Sequence, residues 1–329
     1  MKTLKAAVIG LGIGKSHARV LSTMKGVRLR AVADLKGSVA DEVAGECGAR
    51  SYHDGMGLLG AESLDLVCIC TPPASHLRFT EEAAGRGAHV FCEKPMAPAL
   101  ADCDGMIAAC RKAGVKLMVG QKKRFQPAFR FVKDMAGKEF GPARWAVVRY
   151  ACGPVPMPWF WDEADGGGPL VENSVHAMDI LRYLMSDVER VYAEGANLFN
   201  GRWSPQLDTA AVTLRFRSGA IAAVGCGQAY EWPFASESSY LGHERAVVEI
   251  TGSFDNPEQV RYVLRSDPAR VVSLELGGQD LFELEIAHFV ECIRSGGEPL
   301  VTGEDARASI AVCLAVKESA RTGKPVRLA

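Results

Sequence analysis

Up to about residue 120 the chain alternates without interruption between short apolar runs and segments of helical periodicity, and this alternation leaves few folds open. Leu4–Ile9, 29–33, 65–70, 88–92 and 115–119 read as strands. Between them, 14–25, a stretch through Val39, Val43 and Cys47, 74–85 and 99–113 read as helices, the first with Ala18, Leu21 and Met24 on one face. Short apolar strands separated by helices of this length imply parallel β-α-β units. Right-handed crossovers then make a doubly wound parallel sheet the expected product.

Beyond about residue 140 the pattern changes. Ala143–Ala151, 188–199, Thr209–Phe216, 220–226 and 246–251 are longer and more alternating, and Ser218-Gly219 reads as a hairpin turn. An α+β domain with an open, mainly antiparallel sheet is expected. Two late helices, near 281–294 and 304–321, are expected to pack on one side of it, and the Pro-rich stretch 153–158 reads as a shaped loop. With 329 residues, at about 150 per domain, two domains are expected: 1–120 for a cofactor and 121–329 for substrate, with the C-terminal helix able to pack back on the first.

Charge excludes one class of partner. Lys plus Arg number 38 against 39 Asp plus Glu, a net charge of -1, and the basic run is only Lys122-Lys123-Arg124. A nucleic-acid binder would show a basic stripe. The ten cysteines include no Cys-x-x-Cys, and neither Cys nor His offers paired ligands at zinc spacing. They read as free, mostly buried thiols of a reducing cytoplasm, with no metal expected. Lys2 and Lys5 before apolar 6–13 superficially resemble a secretory leader, but Lys15, His17 and Arg19 follow at once. A first strand explains the segment better. No apolar run reaches the roughly 18 residues of a membrane span.

Three motifs fall at the carboxyl ends of the first-domain strands, where open α/β sheets bind ligands. Gly10-Leu11-Gly12-Ile13-Gly14 joins the first strand to a helix, which suits a pyrophosphate at the helix N-terminus. The third glycine of the dinucleotide pattern arrives one residue early, because position 15 is Lys15; a plain strand-to-helix turn is the alternative. Asp34, 20 residues after Gly14, can accept from an adenosine ribose diol and would repel a 2′-phosphate, favouring NAD, while Lys36 leaves NADP open. Thr71-Pro72-Pro73 with His76 follows the next strand, although a strand stop and helix cap would account for it. Glu93-Lys94-Pro95 follows the strand after that, an odd choice for a mere turn.

This order of motifs resembles the Gfo/Idh/MocA oxidoreductases (glucose-fructose oxidoreductase, inositol dehydrogenase and relatives). Gly120-Gln121, Arg124-Phe125, Gly166-Gly167-Gly168 leading to His176 and Asp179, Gly303-Glu304-Asp305-Ala306 and the stretch 319–325 extend the resemblance over nearly the whole chain. It implies a Rossmann domain binding NAD through Gly10, Gly12, Ile13, Gly14, Asp34, Thr71, Pro72, Pro73, His76, Glu93, Lys94 and Gln121. It further implies a C-terminal α+β domain whose sheet commonly mediates dimers or tetramers, hence a homodimer or homotetramer. Lys94 matches the lysine that contacts nicotinamide ribose and the reacting hydroxyl, and His176 matches the proton-transferring residue. Position 172, usually Asp in the sugar and inositol dehydrogenases, is Glu172, and position 174, often Gly, is Ser174.

The chemistry of these side chains agrees. Oxidising an alcohol removes a hydride from carbon and a proton from oxygen; a histidine can take that proton near neutral pH, and a lysine can stabilise charge developing on the oxygen. A helix over 170–185 would put Glu172, His176 and Asp179 on one face, with Asp179 as a structural group. Lys123, Arg124 and Trp161 are candidates for the substrate pocket, their alternatives being a solvated helix start and aromatic packing. The expected activity is NAD-dependent hydride transfer with a secondary hydroxyl or keto group of a sugar, cyclitol or related polyol, without nucleic-acid or membrane partners. A non-catalytic NAD-binding sensor, or an enzyme recycling a tightly held cofactor, stays open.

Overall fold

The computed structural model describes residues 2–153, 155, 157–228, 237–252 and 258–328. Two compact units emerge: Met1–Lys122 with Asp280–Arg307, and Lys123–Gln279 with Ala308–Ala329.

In the first unit, β1 (Leu4–Ile9), α1 (Gly14–Thr23), β2 (Val27–Ala33), α2 (Gly37–Cys47), β3 (Arg50–Tyr52), α3 (Gly55–Ala61), β4 (Leu66–Ile69), α4 (His76–Gly85), β5 (His89–Cys92), α5 (Leu100–Ala113) and β6 (Leu117–Val119) follow in turn. The strands form one six-stranded sheet in the order β3-β2-β1-β4-β5-β6, parallel at every pairing. Every residue of β4 is buried, the signature of a strand covered on both faces. Strand order reverses between β1 and β4, so the turns after these strands border the crevice where such sheets take ligands.

The second unit comprises α6 (Pro127–Met135), β7 (Ala143–Ala151), the single turns α7 (Pro158–Trp161), α8 (Glu163–Gly166) and α9 (Pro169–Glu172), α10 (Val175–Met185), then β8 (Val188–Ala196), β9 (Thr209–Phe216), β10 (Ile221–Gly227), β11 (Glu237–His243), β12 (Ala246–Gly252), β13 (Glu258–Leu264) and β14 (Asp267–Leu276). After α11 (Leu281–Ser295) and α12 (Gly303–Thr322) comes β15 (Val326–Arg327). The nine strands run β14-β13-β12-β11-β7-β10-β9-β8-β15. All described pairings are antiparallel except β7 with β10. β9 and β10 alternate buried and exposed residues, so one face is core and the other open. The hairpin expected at Ser218-Gly219 forms, Gly219 taking φ +82°.

Two expectations change. The late helices do not stay together: α11 belongs to the first unit, and the division falls inside α12, after Arg307. The apolar face of α11 explains this, since Phe282 lies 5.1 Å from the His17 ring and Phe289 lies 6.2 Å from Phe91. The helix anticipated over 170–185 is broken at Asn173-Ser174 into α9 and α10. In the loop expected over 153–158, Pro154 and Pro156 lie outside the described residues. Among the described residues no helix is long and apolar enough to cross a membrane, and all ten cysteines are free thiols.

Candidate active site

The glycine turn after β1 has three glycines doing different things. Gly10 takes φ +85°, and a Cβ there would sit 2.6 Å from the Cys70 carbonyl oxygen, so only glycine fits. A Cβ at Gly12 would meet nothing within 4 Å, so this side of the backbone is open to a ligand. Gly14, the early third glycine, is where α1 presses on the sheet: its Cβ would lie 3.0 Å from both Cys70 Cβ and Val8 Cγ1. Position 15 therefore has no need of glycine. The first turn of α1 carries no acidic residue and no side-chain cap, so its amide dipoles suit an anion.

Asp34 braces this turn. Its Oδ2 accepts the Leu11 N–H at 2.8 Å and its Oδ1 accepts the Lys36 N–H at 2.8 Å. Each carboxylate oxygen keeps a further lone pair, as a ribose diol requires. Gln121, after β6, is 1% exposed, with neither side-chain polar atom hydrogen-bonded among the described residues. A buried amide in that state needs a partner. These residues fit NAD, which when bound supplies the hydride acceptor or donor.

After β4, Thr71 is half-buried and accepts from Ser75 Oγ at 2.6 Å, while Pro72 is exposed and Pro73 buried. His76 is fully buried. Its Nε2 lies 2.7 Å from Thr71 O, and its Nδ1 lies 3.1 Å from both Met96 O and Cys92 Sγ. Burial holds its pKa below the ordinary value, so the ring is neutral, donating through Nε2 and accepting the Cys92 thiol. That arrangement ties the Thr71 turn to Cys92 at the end of β5, immediately before Glu93. The structure thus makes His76 a brace for the two turns.

Glu93 is buried after β5. Its Oε1 accepts from His17 Nε2 at 2.6 Å, and its Oε2 accepts the Lys94 backbone N–H at 3.1 Å. The His17 hydrogen bond, His17 and the Lys94 and Lys122 charges hold Glu93 below the usual carboxylate range in spite of burial, so it is ionised. Lys94 itself is half-buried and followed by a cis peptide bond to Pro95. His17 escaped the sequence reading; a histidine on the buried stripe of α1 with Ala18 and Leu21 is the signal that could have found it.

In the second unit the polar groups gather at the ends of β7 and β10. His176 is buried in the first turn of α10, its ring centroid 6.2 Å from that of Tyr150. Lys123 Nζ stands 5.5 Å above the same Tyr150 ring and is ion-paired with Glu237, 2.6 Å from Oε2. Tyr150 pairs in register with Glu237 on one side and Cys226 on the other. Asn173 donates to Cys152 Sγ at 2.7 Å, and Cys152 donates to Gln228 Oε1 at 3.2 Å. Glu172, buried, ends α9 one residue earlier. Sequence reading missed Tyr150, Glu237 and Asn173, because nothing local marks them.

Three expected neighbours go elsewhere. Asp179 binds Arg124 through two hydrogen bonds of 2.9 and 2.8 Å and accepts from Ser309 Oγ at 2.9 Å. Ser309 in turn accepts from Arg182 at 2.9 Å. Arg124 is therefore the buried anchor of α10, not a solvated helix start. Trp161 is buried, stacked 6.3 Å from Trp203, and donates through Nε1 to Val155 O at 2.8 Å. Its ring packs in an aromatic cluster with Phe160 and Trp203.

Comparison with known proteins agrees with both halves. The model of an oxidoreductase family with an NAD-binding Rossmann fold matches residues 4–121, and that family's C-terminal alpha/beta domain matches 144–328. The chain is 29% identical to the myo-inositol 2-dehydrogenase of Thermotoga maritima, aligned over 341 residues that cover 99% of this chain and 98% of that protein. It is likewise 29% identical to the scyllo-inositol 2-dehydrogenase (NAD(+)) of Bacillus subtilis, across 99% of this chain and 96% of that one. Among solved structures, the aldose-aldose oxidoreductase of Caulobacter crescentus complexed with glycerol superposes with a TM-score of 0.86 at 29% identity, covering 99% of this chain and 100% of the other. Glycine turn, Glu93-Lys94-Pro95 loop, parallel sheet and open second sheet are those of one lineage: the chain belongs to the Gfo/Idh/MocA family of NAD-binding oxidoreductases.

Proposed function

We propose that this oxidoreductase transfers a hydride between NAD and a secondary hydroxyl or keto group of a sugar, cyclitol or related polyol. The observation that carries the substrate class is the polar cluster of the second unit. Tyr150, His176, Asn173 and Glu172 offer donors and acceptors, while Lys123 and Glu237 cancel each other's charge. Such a lining recognises hydroxyl groups without demanding a charged substrate. Relatives named for inositols, and one solved with glycerol, support the same class.

The residue roles follow from chemistry. The glycine turn, Asp34 and Gln121 hold NAD, with the Thr71-Pro72-Pro73 turn, braced by His76, beside them. Lys94, its backbone fixed by Glu93, stabilises negative charge on the substrate oxygen, and His176 moves the hydroxyl proton. Glu172 assists at His176 from the adjoining turn. The test is purified protein with NAD⁺ and a panel of inositols, aldoses and polyols, followed by NADH absorbance. Turnover of at least one member is expected, and Lys94→Ala should lower kcat by about 10²–10³. Unchanged turnover in Lys94→Ala would remove the lysine from the site.

The open sheet face supports self-association. Trp145 is 42% and Tyr240 44% exposed, and Val147 and Ile221 accompany them on one face by strand register. We infer that a second copy covers it, giving a homodimer or homotetramer. Ten free thiols suit a cytoplasmic setting.

A further inference from the structure

An acid that none of these roles uses lies under the Glu93 loop. Glu285, in α11, is 0% exposed, and neither carboxyl oxygen has a hydrogen-bond partner among the described residues. It sits on the apolar stripe of its helix with Ile286, Phe289 and Val290. Within the first unit one of its oxygens, a Glu93 oxygen and a His17 ring nitrogen all lie within 4.8 Å of one another. The His17 ring is held between Phe91 at 5.0 Å and Phe282 at 5.1 Å, so the cluster has aromatic walls.

An ionised carboxylate buried without a partner beside a second carboxylate is strongly unfavourable, and the ordinary outcome is that one of the two keeps a proton. Glu93 already has the His17 and Lys94 N–H donors that favour its anion. Glu285 has none. The titratable and charged groups that face Glu285 are His17 from α1, Glu93 after β5, Lys122 after β6, Cys68 and Cys70 at β4, and Asp280 at its own helix start. Lys122 supplies one positive charge near the pair, enough for one carboxylate. A divalent ion would add to that charge.

We propose that Glu285 is a positioning residue that stays a neutral acid and shares its proton with Glu93, fixing the His17–Glu93 pair and, through Glu93 Oε2, the backbone of Lys94. Burial first, and the Glu93 charge second, push Glu285 well above the usual carboxylate range, in keeping with this. The consequence for Lys94 rests on the function proposed above; the protonation of Glu285 does not.

The sign of the pH dependence follows. A carboxyl whose pKa is higher folded than unfolded holds an extra proton in the native state, so stability falls as pH rises from the ordinary glutamate value towards the folded one. Between about pH 7.5 and 8, unfolded histidines are mostly neutral and unfolded thiols mostly still protonated, so this slope can be read. Denaturant unfolding of wild type should show the unfolding constant rising by up to about tenfold per pH unit there. Glu285→Gln, which keeps a neutral donor of the same shape, should remain folded and lose that slope. In wild type with ¹⁵N-labelled lysine, the Lys94 amide resonance should shift with the same titration, and in Glu285→Gln it should not. Infrared spectra of the unmutated apoprotein at neutral pH should contain a protonated-carboxyl band, which needs no variant, NAD or substrate. Equal slopes in the two proteins, a Lys94 amide indifferent to Glu285, absence of that band, or a stoichiometric divalent metal lost in Glu285→Gln would each overturn the proposal. Failure of the polyol assay with these signatures intact would count against the function alone.

Discussion

At the scale of the residue, buried histidines divide into those that brace and His176, proposed to move a proton. His76 and His243 are both buried beside backbone carbonyls, His243 Nδ1 lying 2.7 Å from Gly141 O, and burial lowers the pKa of each. In the window below the ordinary histidine value of 6.5, the unfolded chain binds protons that the folded chain refuses, so stability is lost as pH falls. Urea unfolding at a series of pH values should show this slope, and His76→Asn or His243→Asn should each flatten it. His176, by contrast, should show itself in kinetics: His176→Ala is expected to cut kcat by about 10²–10⁴ with the fold retained by circular dichroism. The candidate residues were legible because Gly10, Asp34, Thr71, Glu93 and Gln121 each follow a recognisable strand. The surroundings of Lys123 and Arg124 were not, since the acids that pair with them lie 114 and 55 positions away. Sequence spacing carries no information about such a partner.

At the scale of the element, α10 illustrates how the proposed proton-transferring side chain is held. Arg124, Asp179, Ser309 and Arg182 form one buried hydrogen-bonded set that clamps the helix from which His176 projects. Removing one partner leaves a buried charge uncompensated, so Asp179→Ala should destabilise the protein by about 3–5 kcal/mol. Denaturant titration measures this, and the double variant with Arg124→Met should recover part of the loss. Periodicity alone extended this helix back to residue 170, because Leu170, Val171 and Val175 continue its apolar face. The break falls at Asn173, whose side chain donates to Cys152 outside the helix. β13 and β14 were missed for a different reason. Most described residues of β14 face solvent, so no apolar run announces the strand, and its existence depends on pairing with β13.

At the scale of the whole molecule, the open face of the nine-stranded sheet is expected to govern assembly. Trp145→Glu with Tyr240→Glu places charge on adjacent strands of that face, and sedimentation should then show a smaller species than the unmodified protein, which is expected to self-associate. Parallel and antiparallel halves were both legible, since a buried strand and a half-buried one write different patterns into sequence. The grouping of Asp280–Arg307 with the first unit was not, because it depends on Phe282 and Phe289 meeting α1 and β5. That grouping bears on biosynthesis. All six parallel strands leave the ribosome before any of α11 has been made, and the entire second sheet except β15 is translated in between. A nascent first unit therefore carries an uncovered aromatic patch around His17 and Phe91, with Glu93 open to water, until α11 emerges. Its consolidation therefore waits for a helix that is made only after β1–β14 have all been translated.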